Sequence, residues 1–132
     1  MPENKINFID LAAVYVKHQS EFDAVIANTL ASADYINGKA LAEFNLALSE
    51  FTGAKNIITC GNGTDALQIA MMSLNLTEGD EIILPAFTYT ATAEVIALLK
   101  LKPVFVEVCA DTFNIDVAAA EAAITSKTKA LL

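Results

Sequence analysis

Gly79-Asp80-Glu81-Ile82-Ile83-Leu84-Pro85 is the stretch on which the fold turns. Gly79-Asp80 is a turn pair, Glu81 to Leu84 reads as a short buried strand, and Pro85 stops it. The run is continuously apolar rather than alternating, so the strand has both faces covered. Reading outward, a helix is expected from about Ala91 to Leu101, then a strand over Val104-Phe105-Val106-Glu107-Val108. Asp116 is placed to cap an alanine-rich helix through Ile124, and Lys129-Ala130-Leu131-Leu132 opens a further strand. Upstream, Ile57-Ile58-Thr59 reads as a first short buried strand, and Asp65 to Leu74 as a helix apolar almost all round. Strands alternating with helices predict a three-layer α/β arrangement around a mostly parallel sheet. Such sheets take ligands at the carboxyl ends of their strands.

Before Asn56 the pattern is purely helical. Ser20, with Asp23 three positions on as a capping partner, is expected to open a helix carrying Phe22, Val25, Ile26 and Leu30 on one face. Asn37-Gly38 breaks that pattern. A second helix follows, with Leu41, Phe44, Leu48 and Phe51 on one stripe and Gly53 as its stop. The chain thus reads as an N-terminal helical segment, 1–55, followed by the first part of an α/β domain, 56–132.

Composition narrows the function classes. Hydrophobic residues make up 55% of the 132 and charged residues only 18%, against about 25% charged in an average domain. So apolar a surface is expected to lie against more protein. A net charge of −8 argues against nucleic acid as a partner. No apolar run approaches the roughly 18 residues of a membrane span, and Pro2-Glu3-Asn4-Lys5 has no signal-peptide core. Cys60 and Cys109 form no paired motif, so no disulfide framework is indicated. With one histidine, His18, there is no metal constellation. A soluble cytoplasmic protein is expected. The final strand has no turn or polar exit after Leu131-Leu132, which reads as a part of a longer chain.

Two segments could carry chemistry. Gly61-Asn62-Gly63-Thr64-Asp65 lies between a strand and a helix. Its glycines allow a tight turn and close approach to a ligand, and Asn62 can cap the helix with Asp65 as partner. The first helical N–H groups, aided by the helix dipole, would form an anion site to which the Thr64 hydroxyl could add a bond. The segment lacks the Lys of a P-loop and the spacing of a dinucleotide fingerprint. Taken alone, it reads as readily as a plain connection with no ligand. Pro85-Ala86-Phe87-Thr88-Tyr89-Thr90-Ala91-Thr92 leaves the central strand on the same rim. An aromatic ring there could stack on a planar heterocycle. Alternatively, Phe87 and Tyr89 are core residues and Thr90 caps the next helix. His18 suits a capping or surface role, Cys60 a small buried filler, and Glu107, Asp111 and Asp116 solvated loop positions.

Together these segments resemble the DegT/DnrJ/StrS nucleotide-sugar aminotransferases. The resemblance rests on Gly63-Thr64-Asp65-Ala66-Leu67, Gly79-Asp80-Glu81-Ile82-Ile83 and Pro85 through Glu94. It extends to Phe8-Ile9-Asp10-Leu11, Tyr35-Ile36-Asn37-Gly38 and Pro103 through Val108, covering nearly the whole chain. It implies the large domain of the aspartate-aminotransferase fold, here incomplete, with pyridoxal phosphate as cofactor. By matched position, the backbone of Gly63, Thr64 and Asp65 would hold the cofactor phosphate and Tyr89 would stack on its ring. Tyr35, Ile36 and Gly38 would lie near the nucleotide-sugar entrance. The family's dimers share active sites between subunits, and glutamate is the implied amino donor. Its Schiff-base lysine and pyridine-pairing aspartate have no counterpart here and are expected beyond Leu132, which would leave this chain inactive alone. Some family members are sugar dehydratases with His in place of that lysine, and a non-catalytic binding module is a further alternative.

Overall fold

A computed structural model describes residues 8–132. The Pro2-Glu3-Asn4-Lys5 stretch lies outside them. The chain divides into two compact units, Met1–Ile58 and Thr59–Leu132.

In the first unit, α1 (Leu11–Lys17) is capped by Asp10, whose carboxylate accepts from the Ala13 N–H at 3.0 Å. His18 interrupts the helix, and α2 (Gln19–Ser32) follows. This corrects the expected start at Ser20. That residue lies inside α2, and the cap position, His18, makes no side-chain capping bond. The Asp10 cap begins helical structure a helix earlier. Asp23, shorter than the Glu or Gln of a capping box, instead accepts from the Tyr15 hydroxyl at 2.8 Å and Gln19 Nε2 at 3.4 Å. After Asn37, at φ 51°, comes α3 (Lys39–Thr52), closed by Gly53 at φ 72°. Gly38 precedes it in a tight corner. A Cβ there would come within 2.4 Å of the Asp34 carbonyl oxygen, and the Asp34 carboxylate accepts from the Lys39 N–H at 2.9 Å.

The second unit is a parallel sheet built around one strand. α4 (Gly63–Met72) precedes β1 (Glu81–Pro85); α5 (Ala91–Leu98) leads to β2 (Lys102–Val106); α6 (Val117–Ala122) leads to β3 (Thr128–Leu131). The strand order is β2-β1-β3, with β1 parallel to both neighbours. Ile82 and Leu84 pack on one face with Met71, Val95, Ile96 and Leu101. Ile83 packs on the other with Val106 and Ala120. Helices therefore cover both faces, as the apolar run predicts. Burying each of these β1 side chains contributes roughly 1.5–3 kcal/mol.

Element ends shift for local reasons. α5 stops at Leu98 because Lys100 takes a positive φ of 57° and turns the chain back. β2 then starts at Lys102 and ends at Val106, while Val108 forms a separate antiparallel bridge with Ile115. Ile57-Ile58-Thr59 is not a strand: no neighbouring strand pairs with it among the described residues, and Ile58 is 78% exposed. An apolar run becomes a strand only when ladder partners take up its N–H and C=O groups. Gly79, at φ 87°, closes the turn before β1, in which Asp80 accepts from the N–H and hydroxyl of Thr77.

The amino ends of the three strands are tied by one buried carboxylate. Glu81 Oε1 accepts from Lys102 Nζ at 2.9 Å and Oε2 from the Thr125 hydroxyl at 2.5 Å. The Thr125 bond first, and the Lys102 bond next, hold the Glu81 carboxyl below its ordinary value of 4.5. A depressed folded-state value means that this stabilisation is complete above the ordinary value and is lost as pH falls through the folded one. Glu81→Gln should lower the urea midpoint at neutral pH. It should also flatten the decline of that midpoint between about pH 5 and about pH 3 relative to the parent chain.

Candidate cofactor-binding site

α4 begins where the glycine turn ends. Asn62, in extended conformation, accepts from the Asp65 N–H through Oδ1 at 3.0 Å. Its Nδ2 donates to Asp65 Oδ2 at 3.2 Å, so cap and first-turn carboxylate hold each other. That carboxylate lies so close to Gly61 that a Cβ there would sit 2.8 Å from Oδ2. A side chain at Gly61 would therefore push the Asp65 carboxylate aside. Gly63 faces open space, with nothing within 4 Å of a built Cβ.

The cap settles which donors remain for a ligand. The Ala66 N–H goes to the Asn62 carbonyl oxygen at 3.1 Å, and the Asp65 N–H is taken by the Asn62 side chain. Among the described residues, the N–H groups of Gly63 and Thr64 have no partner. Two free N–H groups, the half-buried Thr64 beside them and the positive end of a ten-residue helix fit a phosphate group.

Chain direction sets which rim this is. α4 runs through residues 73–80 to the amino end of β1, and its Leu67 and Met71 pack on the same core cluster as Ile82 and Leu84. It therefore runs against β1, and its N-terminus lies at the carboxyl rim. The β1–α5 loop, Ala86 to Thr90, leaves β1 at that rim and is exposed throughout. Tyr89 in it is 81% exposed, not a core residue. No hydrogen bond or ring contact joins Tyr89 to the glycine turn among the described residues. Thr90 sits at the cap position of α5 in helical conformation without a side-chain capping bond. Thr88 and Thr92 instead share a hydroxyl contact of 3.3 Å.

The remaining candidates are scattered. In the first unit, Tyr35 donates its hydroxyl to the Leu30 carbonyl oxygen at 3.1 Å, Ile36 is 86% exposed, and Gly38 caps α3. Tyr35 and Gly38 line an open groove of about 380 Å³ with Thr29 and Phe44. His18 lies between α1 and α2, 3.4 Å from Glu21. Cys60 is exposed rather than a buried filler, because the segment around it pairs with no strand. Asp116 caps α6, accepting from the N–H groups of Ala118 and Ala119. No group of three His, Cys, Asp or Glu is arranged for a metal among the described residues, and no helix among them is long and apolar enough to cross a membrane.

Two features escape sequence reasoning to different degrees. Glu81 and Lys102 lie directly opposite in the β1–β2 register, a pairing that opposite charges at two strand starts could have suggested. Phe87 and Phe113 meet with ring centroids 5.3 Å apart. Phe113 holds a positive φ of 58°, which nothing in a phenylalanine announces.

The fold defines a class: a parallel α/β sheet, covered on both faces, with an open helix N-terminus and an exposed aromatic loop on its carboxyl rim. The model of the DegT/DnrJ/EryC1/StrS aminotransferase family matches residues 16–132, and the chain belongs to that family. It is 47% identical, over 96% of its length, to a UDP-2-acetamido-2-deoxy-3-oxo-D-glucuronate aminotransferase of Pseudomonas aeruginosa, covering 35% of that protein. It superposes on the crystal structure of a DegT/DnrJ/EryC1/StrS aminotransferase from Brucella abortus with a TM-score of 0.90 and 39% identity. That match covers 96% of this chain and 36% of the other. A sugar aminotransferase of Streptococcus pneumoniae, solved in PLP and PMP forms, matches 80% of this chain and 27% of its own at 37% identity and a TM-score of 0.77. The chain spans about a third of the length of these relatives.

If the Asn62 cap organises the turn, Asn62→Ala should destabilise the chain by about 1 kcal/mol. In native-state hydrogen exchange it should speed the exchange of the Asp65 amide more than those of α5. Equal effects on both helices would contradict the local role.

Proposed function

We propose that this chain is the N-terminal, cofactor-gripping portion of a pyridoxal-phosphate-dependent aminotransferase that acts on a nucleotide-linked keto sugar. The observation that carries this reading is the pair of unpartnered N–H groups of Gly63 and Thr64 at the start of α4. They would bind the cofactor phosphate, with the Thr64 hydroxyl as a further donor. The Asp65 N–H, occupied by Asn62, would act through the cap rather than directly. Tyr89 would stack on the cofactor ring from the exposed β1–α5 loop. When bound, the cofactor supplies the electron sink for amino-group transfer. The similarity to sugar aminotransferases supports the substrate class, and glutamate is the proposed amino donor.

The polarity of the second unit supports a division of labour. Its four lysines, Lys100, Lys102, Lys127 and Lys129, cluster around the amino ends of β2 and β3. Lys102 is paired with Glu81 and Lys100 lies 3.9 Å from Glu78. None of these lies on the carboxyl rim where the phosphate would be held. The Schiff-base lysine and the pyridine-pairing carboxylate of the reaction are accordingly assigned to residues outside this chain, which would be inactive alone. Tyr35, Ile36 and Gly38 are proposed to border the nucleotide-sugar entrance. We also propose a cytoplasmic homodimer with shared active sites and a division into segments 1–55 and 56–132. The same site would serve a dehydratase of the family; the residue standing at the lysine position of the whole protein decides between the two.

Titration of the chain with pyridoxal 5′-phosphate, followed by borohydride reduction and peptide mapping, tests this reading. Binding should be saturable, competed by inorganic phosphate and weakened by Tyr89→Ala about fivefold or more, the scale of one aromatic stacking contact. Reduction should trap no site-specific lysine adduct. Non-saturable binding would overturn the phosphate site, and one stoichiometrically labelled lysine would overturn the division of labour.

A further inference from the structure

The β1–α5 loop is anchored at both ends and bare in the middle. At one end the Ala86 N–H donates to the Val106 carbonyl oxygen at 2.8 Å. At the other, the Thr92 N–H donates to the Tyr89 carbonyl oxygen at 3.0 Å and the Thr88 and Thr92 hydroxyls meet at 3.3 Å. Between these anchors Phe87 projects from the rim, 66% exposed. Its ring finds one aromatic partner among the described residues, Phe113, at a centroid distance of 5.3 Å and an interplanar angle of 42°.

Phe113 reaches that position from a separate arm. After β2 the chain runs out and returns before α6, closed by the Val108–Ile115 bridge and by the Asp116 N–H donating to the Glu107 carbonyl oxygen at 3.0 Å. Within it the Cys109 N–H donates to the Asn114 carbonyl oxygen, and the Phe113 N–H to the Cys109 carbonyl oxygen, both at 2.8 Å. Directly after the turn at 110–112, Phe113 adopts a φ of 58°, a left-handed conformation that a bulky residue rarely takes. Its ring is still 59% exposed, so little burial compensates. The hydrogen bonds of the arm hold this conformation, and the ring so placed meets Phe87.

We infer that the Phe113–Phe87 contact is a latch through which the β2–α6 arm positions the β1–α5 loop, and with it Tyr89, for a planar, phosphate-bearing ligand at the carboxyl rim. Phe87 and Phe113 are positioning residues. They act through Tyr89, two residues beyond Phe87, and the ligand part of the inference rests on the role proposed for Tyr89 above. The latch joins two consecutive crossover loops of the sheet. It adds a side-chain contact to the Ala86 backbone bond and the Thr88 hydroxyl contact.

The test compares the parent chain with Phe113→Ala, Phe87→Ala, the double variant, Phe113→Gly and Phe113→Tyr. Amide hydrogen exchange over residues 86–90 and pyridoxal 5′-phosphate affinity are both read. Because Phe113 is largely exposed, its truncation should leave the global unfolding midpoint almost unchanged, so loop exchange reports the latch and not loss of fold. Either single alanine variant should speed exchange at Thr88 and Tyr89 roughly two- to tenfold, the size expected for one aromatic pair. The double variant should be no faster than the singles. Phe113→Gly, which suits the left-handed φ but lacks the ring, should behave like Phe113→Ala, and Phe113→Tyr should restore the parent rate. Affinity should fall in parallel with loop exchange. Unchanged exchange in both single variants, or additive effects in the double variant, would overturn the latch. Faster exchange with unchanged affinity, where Tyr89→Ala does weaken binding, would overturn its positioning role. If Tyr89→Ala leaves affinity unchanged, the reading of Tyr89 as the stacking residue fails, and the exchange results alone decide the latch.

Discussion

Complete burial of β1 is the constraint on which the second unit depends. Ile82, Ile83 and Leu84 are at most 1% exposed, and the strand pairs on both sides. A strand so enclosed must be apolar on both faces, must have helices above and below, and must reach its neighbours by crossover. Those requirements place α4 and α5 on one face and α6 on the other. They also bring all the loops that leave the strands to one rim.

The two rims then acquire opposite chemistry. The amino rim collects the lysines: Lys102, joined with Thr125 to Glu81 in part-buried bonds, with Lys127 and Lys129 nearby. The carboxyl rim collects uncompensated backbone donors and exposed rings: Gly63 and Thr64 at the start of α4, Tyr89 and Phe87 after β1, Phe113 after β2. One end of the sheet is thus tied shut by ion pairing, while the other offers N–H groups and flat apolar surface. An anion attached to an aromatic ring fits the second end. A lysine on the first end cannot serve chemistry on the second without crossing the sheet.

Much of this was legible in the sequence because the relevant signals are local. The continuous run Ile82-Ile83-Leu84 announces a doubly covered strand, Asp116 an N-cap, and Asn62 with Asp65 a reciprocal cap. The failures are equally physical. Ile57-Ile58-Thr59 has strand composition, but a strand is a property of a pair, and composition cannot supply the partner. Ser20 resembles a cap, but Asp10 and the break at His18 had already set the helix boundaries. The expectation that the Asp65 N–H meets the phosphate stays a proposal; that N–H also donates to the Asn62 side chain at 3.0 Å. The Phe87–Phe113 contact depends on a left-handed Phe113, a conformation the surrounding arm imposes against the residue's own preference.

We propose that the free N–H groups of Gly63 and Thr64 form a phosphate grip. It is tested most directly by following backbone amide resonances while pyridoxal 5′-phosphate is added to the chain. The Gly63 and Thr64 amides should shift first and furthest, with Asp65 moving less because it already donates to Asn62. Saturable binding that leaves the Gly63 and Thr64 amides unmoved while resonances elsewhere shift would contradict it.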